Sequence, residues 1–285
     1  AEIYDKLGRS ANFHLPDDAR PPQPAWAPRW TPRLTFWSAV AVICASGAAG
    51  LTAIHSVRLE DATEITAHRG ASGSAPENTL AAVREAIEAG ADWVEIDVQE
   101  SKEGVVVVAH DSDLKKLSGS DAKIWELTLD ELRQIDIGSR FGPEFSVERV
   151  PTLEQVLDVC RGRVGLNIEL KYYGHDQDLE RKVVQLVEAR GMQDDVLIMS
   201  LEARGIERIK RLRPDWTVGL LIAVAAGDLT NVDADFLAVN TGLATRRLIV
   251  SAHNKGKRVF VWTVNDPIQM SIMISRGADP VPGSL

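Results

Sequence analysis

From residue 64 onwards the sequence alternates short aliphatic or β-branched runs with longer amphipathic segments. Three of the longer segments begin with helix-capping signals at Thr79, Thr128 and Thr152, the last two followed at the third position by Glu131 and Gln155. Strand and helix in regular alternation predict a parallel sheet in an α/β domain, and the length suits a (β/α)8 barrel. No phosphate-cradling glycine motif follows the first run, which disfavours a dinucleotide-binding fold. The strand-like runs are EITAH (64–68), WVEIDV (93–98), VVVVAH (105–110), GLNIEL (165–170), VLIMS (196–200), TVGLLI (217–222), FLAVN (236–240) and RVFVWTV (258–264).

One connection between two strand-like runs is too short to contain a helix. Only QESKEG separates WVEIDV from VVVVAH, a length that suits an antiparallel hairpin. A turn centred on Lys102 and Glu103 predicts that His110 lies opposite Glu95. Glu95 and Asp97 share one face of their strand, because strand side chains alternate between faces. Unpaired charges in such an apolar strand are costly, so the pattern favours a functional role for both carboxylates.

Polar side chains also interrupt the ends of other apolar runs. His68 and Arg69 end the first run, Glu169 and Lys171 end NIELK, and Trp262 lies at the end of the last run. In parallel barrels the carboxyl ends of the strands gather around the active site. Carboxylates are hard ligands for Ca²⁺, Mg²⁺ or Mn²⁺, Arg and Lys bind phosphate, and two histidines can transfer protons near neutral pH. These residue types together favour metal-assisted cleavage of a phosphoester.

Five segments, in this order and spacing, resemble the glycerophosphodiester phosphodiesterase family: HRGASGSAPENT (68–79), EIDVQESKEGVVVVAHD (95–111), RVPTLEQVL (149–157), NIELK (167–171) and VFVWTVN (259–265). The resemblance implies a TIM barrel of the phospholipase-C-like phosphodiesterase type. It also implies one divalent cation, Ca²⁺ or Mg²⁺ with Mn²⁺ as a further candidate. The implied reaction is hydrolysis of a glycerophosphodiester to sn-glycerol 3-phosphate and an alcohol.

The resemblance also implies a role for each residue that matches a family motif. The implied acid/base pair is His68 and His110. The implied metal ligands are Glu95, Asp97 and Glu169, and the implied substrate contacts are Arg69, Lys171, Trp262, Glu77 and Asn78. Asp111 follows His110 directly, where either an orienting role or a turn role fits.

Two other functions stay open from the sequence. A lysophospholipase D or a phosphatidylinositol phospholipase C could use the same barrel. A non-catalytic, membrane-tethered headgroup-binding module is disfavoured, because both histidines and all three carboxylates are present. The formal net charge of −9 argues against a nucleic-acid partner. The resemblance implies a small-molecule glycerophosphodiester as the partner.

The chain end departs from the family pattern. After Asp279 the sequence continues only as PVPGSL, where the resemblance leads us to expect a closing strand. If VVVVAH is the hairpin partner, seven regular strands remain. We therefore expect a barrel whose eighth strand is missing from this sequence, either because the barrel is open at that seam or because the true C-terminus was lost.

Residues 34–57 contain no Lys, Arg, Asp or Glu. The run from Leu34 to Ile54 is long enough to cross a hydrocarbon core of ~30 Å, so it predicts a transmembrane helix. A cleaved signal peptide and a buried helix are the alternatives. Basic residues precede the run and acidic residues follow it, which places the N-terminus in the cytoplasm. The predicted organisation is a Pro-rich cytoplasmic tail (1–33), a membrane helix (34–57) and an extracytoplasmic catalytic domain (58–285).

Overall fold

The computed structural model describes residues 64–224 and 229–279, together with residues 36, 37 and 40. The predicted tail at 1–33, most of the predicted span at 34–57 and residues 280–285 lie outside the described residues. Among the helices that are described, none combines the length and apolar character needed to cross a bilayer. The membrane span, its orientation and the missing eighth strand therefore stay predictions.

The described strands coincide with the strand-like runs of the sequence, with two further short strands. In chain order they are β1 (Thr66–Ala67), β2 (Trp93–Glu100), β3 (Val106–Val108), β4 (Asp113–Leu114), β5 (Ser120–Lys123), β6 (Gly165–Leu170), β7 (Val196–Ser200), β8 (Val218–Ile222), β9 (Phe236–Asn240) and β10 (Arg258–Trp262).

Seven of these strands form one parallel sheet in the order β1-β2-β6-β7-β8-β9-β10. β3 pairs antiparallel with β2, while β4 and β5 form a separate hairpin. The large sheet curls into a TIM-barrel-like half-barrel, and within the described residues β1 and β10 are its two edges. The predicted α/β barrel-type architecture and the series of seven parallel strands are confirmed.

The described helices follow the strands as crossover elements or lie in the segment after β3. They are α1 (Leu80–Glu88), α2 (Lys115–Ser118), α3 (Leu129–Leu132), α4 (Leu153–Cys160), α5 (Leu179–Ala189), α6 (Ala203–Leu212), α7 (Arg246–His253) and α8 (Pro267–Arg276). Thr79 caps α1 by accepting a hydrogen bond from the amide of Ala82. Thr128 and Thr152 form complete capping boxes with Glu131 and Gln155. All three predicted caps are confirmed.

Apolar side chains pack on both faces of the sheet. The outer face packs against the helices, with Ile96, Leu166 and Ile168 fully buried. The inner face carries a smaller cluster that is formed by Leu197, Met199, Leu221, Phe236, Ala238 and Phe260, with Trp93 and Trp262 beside it. Gly219 is required in this cluster, because a Cβ there would approach the Phe236 ring to 2.0 Å.

The β2–β3 hairpin exists as predicted, but its register differs by one residue. Val98 pairs with Val108 and Glu100 with Val106. The amide of Ala109 donates to the carbonyl of Asp97 at 2.9 Å, so the predicted pairing of His110 with Glu95 is wrong. The reason is the turn, which holds three residues rather than two.

A glycine sets the length of that turn. Ser101 and Val105 close it through a backbone hydrogen bond of 2.9 Å from the Ser101 amide to the Val105 carbonyl. Gly104 adopts φ +78°, the left-handed conformation that ends a three-residue hairpin loop. The turn is therefore centred on Glu103.

Residues 111–150 form a lobe between β3 and α4 with a small core of its own. Leu114, Ile124, Leu132 and Ile137 are fully buried there against Val107 of β3. The lobe therefore packs on the hairpin that carries His110.

Candidate active site

The predicted site residues surround one cavity at the carboxyl ends of the parallel strands. Seven of the ten predicted residues line the cavity directly: His68, Arg69, Glu95, His110, Glu169, Lys171 and Trp262. Asp97 lies beside them, in register with Glu169 on the neighbouring strand. The parallel register is what assembles the site, because it brings residues about 70 positions apart in sequence onto one sheet edge.

The three carboxylates form a compact and deeply buried cluster. Asp97 is 1% exposed, Glu95 4% and Glu169 6%, and one oxygen from each lies within 4.8 Å of the others. Oε1 of Glu95 and Oδ1 of Asp97 are buried and accept no hydrogen bond from the protein. Buried carboxylate oxygens without donors are costly unless a cation neutralises them.

These residues fit a hard divalent cation. They offer oxygen ligands only, as Ca²⁺ and Mg²⁺ prefer, and two of the oxygens accept no hydrogen bond from the protein. Within the described part of the chain, no other group of His, Cys, Asp or Glu side chains is arranged to hold a metal ion.

The three buried carboxylates differ in pKa, because each is shifted by burial and by its charged neighbours. Burial, reinforced by Asp97 and Glu169, raises the pKa of Glu95 well above its ordinary value. Burial and the charge of Asp97 raise the pKa of Glu169 to about 7. Burial also opposes ionisation of Asp97, but Lys171, His110 and Arg69 hold the pKa of that carboxyl below its ordinary value. Asp97 is therefore the permanent anion of the cluster in the absence of a cation.

Two cationic side chains flank the carboxylates. Nζ of Lys171 lies 2.9 Å from Oε1 of Glu169 and 3.5 Å from Oδ1 of Asp97. Nε of Arg69 lies 3.5 Å from Oδ2 of Asp97, and its Nη1 donates to Glu77 at 3.0 Å. A phosphate at this edge would meet both cations beside the carboxylate cluster, an arrangement typical of phosphoester-binding sites.

Glu77 and Asn78 support the site from behind the cavity wall. Asn78 is 1% exposed and donates to Oδ2 of Asp97 at 2.8 Å while its Oδ1 accepts from the Asp97 amide at 3.1 Å. Glu77 accepts from Arg69 and from Lys116, whose Nζ lies 2.5 Å from its Oε2. Both residues hold other site residues in place, and their direct contact with substrate stays a prediction.

The two histidines have different surroundings. Nε2 of His68 lies 3.9 Å from Oε2 of Glu95, and burial together with the Arg69 guanidinium lowers the pKa of His68 to about 4. Nδ1 of His110 lies 2.7 Å from Oδ1 of Asp111, and the Tyr173 hydroxyl donates to the His110 carbonyl at 2.5 Å. The cavity thus has one imidazole at ion-pair distance from Glu95 and one imidazole that is oriented by Asp111.

Several residues on the cavity wall were not predicted from the sequence. Thr66 and Asn167 lie on the polar side, and Met199, Leu221 and Phe260 lie on the apolar side. The period-2 alternation contained a signal for the first two, because Thr66 precedes His68 by two residues and Asn167 precedes Glu169 by two. The apolar residues read as ordinary core positions, and only the curl of the sheet places them opposite the carboxylates.

The fold and this arrangement of side chains are those of a barrel hydrolase that acts on phosphate esters. The model of the glycerophosphoryl diester phosphodiesterase family matches residues 68–282. The chain belongs to this family.

Individual relatives support the assignment. A putative glycerophosphodiester phosphodiesterase of Bacillus subtilis is 33% identical over 224 residues, 76% of this chain and 92% of the relative. A glycerophosphodiester phosphodiesterase of Caldanaerobacter subterraneus is 31% identical over 229 residues, covering 77% of this chain and 93% of the relative.

Solved structures agree with this result. A phosphodiesterase of Oleispira antarctica in complex with the product sn-glycerol-3-phosphate superposes with a TM-score of 0.73 at 31% identity, covering 78% of this chain and 92% of that one. The glycerophosphodiester phosphodiesterase of Thermotoga maritima gives a TM-score of 0.62 at 29% identity, covering 77% and 94%. The prediction of an enzyme of the glycerophosphodiester phosphodiesterase class is confirmed.

Proposed function

We propose that this protein hydrolyses glycerophosphodiesters to sn-glycerol 3-phosphate and an alcohol, with His68 and His110 as the acid/base pair. The observation that carries the proposal is the convergence of three buried carboxylates, two cations and two histidines on one cavity. The bound product in the related Oleispira antarctica phosphodiesterase supports the same substrate class.

In this proposal Glu95, Asp97 and Glu169 hold one divalent cation, Ca²⁺ or Mg²⁺, with Mn²⁺ as a further candidate. When bound there, such a cation supplies Lewis-acid polarisation of the phosphate and helps to activate the nucleophile. Nζ of Lys171 donates to Oε1 of Glu169 at 2.9 Å, so the ammonium group is held beside the carboxylate cluster. Arg69 is held by Glu77 on one side and Asp97 on the other. The side chains of Lys171 and Arg69 are both positively charged, so they stabilise the negative charge that grows on the phosphate oxygens in the transition state.

The histidines carry the protons. One imidazole accepts the proton of the nucleophile as the new P–O bond forms, and the other protonates the departing alkoxide as the old P–O bond breaks. If the nucleophile is water, glycerol 3-phosphate forms directly. If it is the glycerol 2-hydroxyl, a cyclic phosphate forms first, and a water molecule then opens it with the two imidazoles in exchanged roles. Because Asp111 occupies Nδ1 of His110, Nε2 is the atom of that ring that is free to exchange a proton with substrate.

The test is product analysis with the full chain. The substrates are glycerophosphocholine, glycerophosphoethanolamine and glycerophosphoinositol. Each is incubated with the enzyme in EDTA and again after Ca²⁺, Mg²⁺ or Mn²⁺ has been restored, and the release of glycerol 3-phosphate is measured. We expect release of glycerol 3-phosphate that EDTA abolishes and one of the cations restores. Two results without glycerol 3-phosphate would overturn the proposal. Release of lysophosphatidic acid from lysophosphatidylcholine would indicate a lysophospholipase D, and release of cyclic inositol phosphate would indicate a phosphatidylinositol phospholipase C.

We also propose that residues 34–54 attach the protein to the cell membrane with the catalytic domain outside the cytoplasm. The support is the charge-free run and the excess of basic residues before it. The test is to fuse alkaline phosphatase, which is active only outside the cytoplasm, after residue 60. An inactive fusion, or a fully soluble chain after cell lysis, contradicts this proposal.

A further inference from the structure

The cavity has two chemically different walls. Thr66, Glu95 and Asn167 form a polar wall, which is contributed by β1, β2 and β6. Met199, Leu221 and Phe260 form a facing apolar wall, which is contributed by β7, β8 and β10. A ligand that fills this space must present polar atoms to one side and carbon to the other.

Two side chains of the polar wall are buried without adequate partners. Thr66 is 3% exposed and Asn167 4%, and neither Oγ1 of Thr66 nor Oδ1 of Asn167 makes a hydrogen bond with the protein. Nδ2 of Asn167 reaches only Sδ of Met199, at 3.5 Å, and a thioether is a weak acceptor. Buried polar groups in this state favour a ligand that offers hydrogen bonds.

Their position in the sheet relates them to the reacting groups. Thr66 lies in β1 two residues before His68, and both line the cavity, while Asn167 shares a face of β6 with Glu169. Two residues of strand span roughly 7 Å, so Asn167 lies about that far along β6 from Glu169. Asn167 is also in register with Glu95 on the neighbouring strand. The distance of roughly 7 Å matches the length of a three-carbon unit whose phosphate lies beside Glu169 and Lys171.

We propose that Thr66 and Asn167 bind a hydroxyl group of the substrate's glycerol unit and thereby set the specificity for glycerol-bearing phosphodiesters. The inference rests on the proposed function and goes beyond it by assigning the recognition of the glycerol. The hydroxyl donates to Oδ1 of Asn167 and accepts from the Thr66 hydroxyl, while the carbon chain lies against Met199 and Phe260. A site that is built to bond a hydroxyl rejects the analogue that lacks it, because the buried polar groups then stay unpaired.

The experiment pairs two ligands with matched variants. Calorimetry in the presence of Ca²⁺ or Mg²⁺ measures the binding of two ligands, sn-glycerol 3-phosphate and n-propyl phosphate. The second ligand has the same chain length but lacks the hydroxyl groups. The variants are Asn167→Leu and the isosteric Thr66→Val. Asn254→Leu is the matched control, because Asn254 is exposed at the end of α7, away from the cavity wall.

We expect the wild type to prefer glycerol 3-phosphate over propyl phosphate by about 10- to 100-fold, and each cavity variant to lose most of that preference. The affinity for propyl phosphate should change by less than about threefold, because that ligand offers these side chains no partner. Equal weakening of both ligands in both variants, or an unchanged preference in both, overturns the inference. Thr66→Val adds no volume, so it reports on the site even if Asn167→Leu does not fold.

Turnover separates this inference from the proposed function. If the wild type releases glycerol 3-phosphate from glycerophosphocholine but the variants keep the ligand preference, only the recognition role is wrong. If the wild type releases none, the proposed function fails and the inference fails with it.

Discussion

Nδ1 of the His110 imidazole lies 2.7 Å from Oδ1 of Asp111, the next residue in the chain. Because His110 lines the cavity, the carboxylate acts on a ring that borders the proposed substrate site. The carboxylate accepts from Nδ1 and so favours the tautomer that leaves Nε2 to transfer the proton in the proposed reaction. The Tyr173 hydroxyl, bonded to the His110 carbonyl, holds the backbone of the same residue.

Replacing this carboxylate should slow turnover more than it weakens binding. We expect Asp111→Asn to lower kcat by roughly 10- to 100-fold with little change in KM, because an amide that donates to Nδ1 favours the wrong tautomer. Steady-state kinetics on glycerophosphocholine measure both constants. Asp121→Asn, at a highly exposed carboxylate of the same lobe, is the control. A change confined to KM would argue against an orienting role.

Removal of either imidazole should abolish most of the activity without unfolding the protein. His68→Ala and His110→Ala should each reduce turnover by about 10²- to 10⁴-fold, the usual contribution of a positioned proton-transfer group. Circular dichroism and thermal melting verify the fold, and His253→Ala at the end of α7 is the matched substitution away from the cavity. Near wild-type rates for either cavity variant would remove that histidine from the mechanism.

Much of the site could be predicted from sequence, because the chemistry depends on residues at strand ends. Parallel pairing of β2 with β6 then brings these strand ends together, and in the observed register Asp97 lies opposite Glu169. The hairpin register could not be fixed in this way, because one residue of turn length shifts every pair, and Gly104 selects the three-residue turn.

The support for the carboxylates was also beyond sequence reasoning. Asn78 reads as part of a substrate-binding motif, yet the structure places it in two hydrogen bonds with Asp97. Its positive φ of 58°, which asparagine tolerates better than most residues, directs it there. Thr66 and Asn167 lie two residues before His68 and Glu169, so the period-2 alternation indicates their face of the sheet but not that the sheet curls around them to form the cavity.

The interior of the half-barrel should tolerate no side chain at Gly219. A Cβ at this position would meet the Phe236 ring at 2.0 Å, and Phe236 is fully buried, so it has little room to move. We expect Gly219→Ala to lower the free energy of unfolding by about 1–3 kcal/mol. Urea denaturation measures the change. Gly73→Ala is the matched control, because a Cβ at Gly73 meets nothing within 4 Å; equal effects of the two substitutions would contradict the packing argument.

Ionised Glu169 should destabilise the folded protein when no cation is bound. A bound cation should turn this destabilisation into a stabilisation. Burial and Asp97 raise the pKa of this carboxyl from 4.5 to about 7, so its ionisation costs more in the folded state than in the unfolded chain. That penalty is absent below about pH 4.5 and grows as pH rises through 7. In EDTA, Glu169→Gln should therefore become progressively more stable than the wild type between about pH 5 and pH 8, by up to about 3 kcal/mol.

With Ca²⁺ or Mg²⁺ at about 1,000 times the wild-type Kd the order should invert, because the cation binds the ionised wild-type cluster and stabilises it by about 4.1 kcal/mol, which exceeds the penalty of about 3 kcal/mol. The variant lacks one ligand and should gain little. Thermal melts across this pH range, with EDTA or with the cation, measure both differences. Glu85→Gln, on the exposed face of α1, should follow the wild type in both conditions. An advantage of Glu169→Gln that does not change with pH, or that survives in the cation, would show that Glu169 is not a ligand and is not held near neutrality by burial.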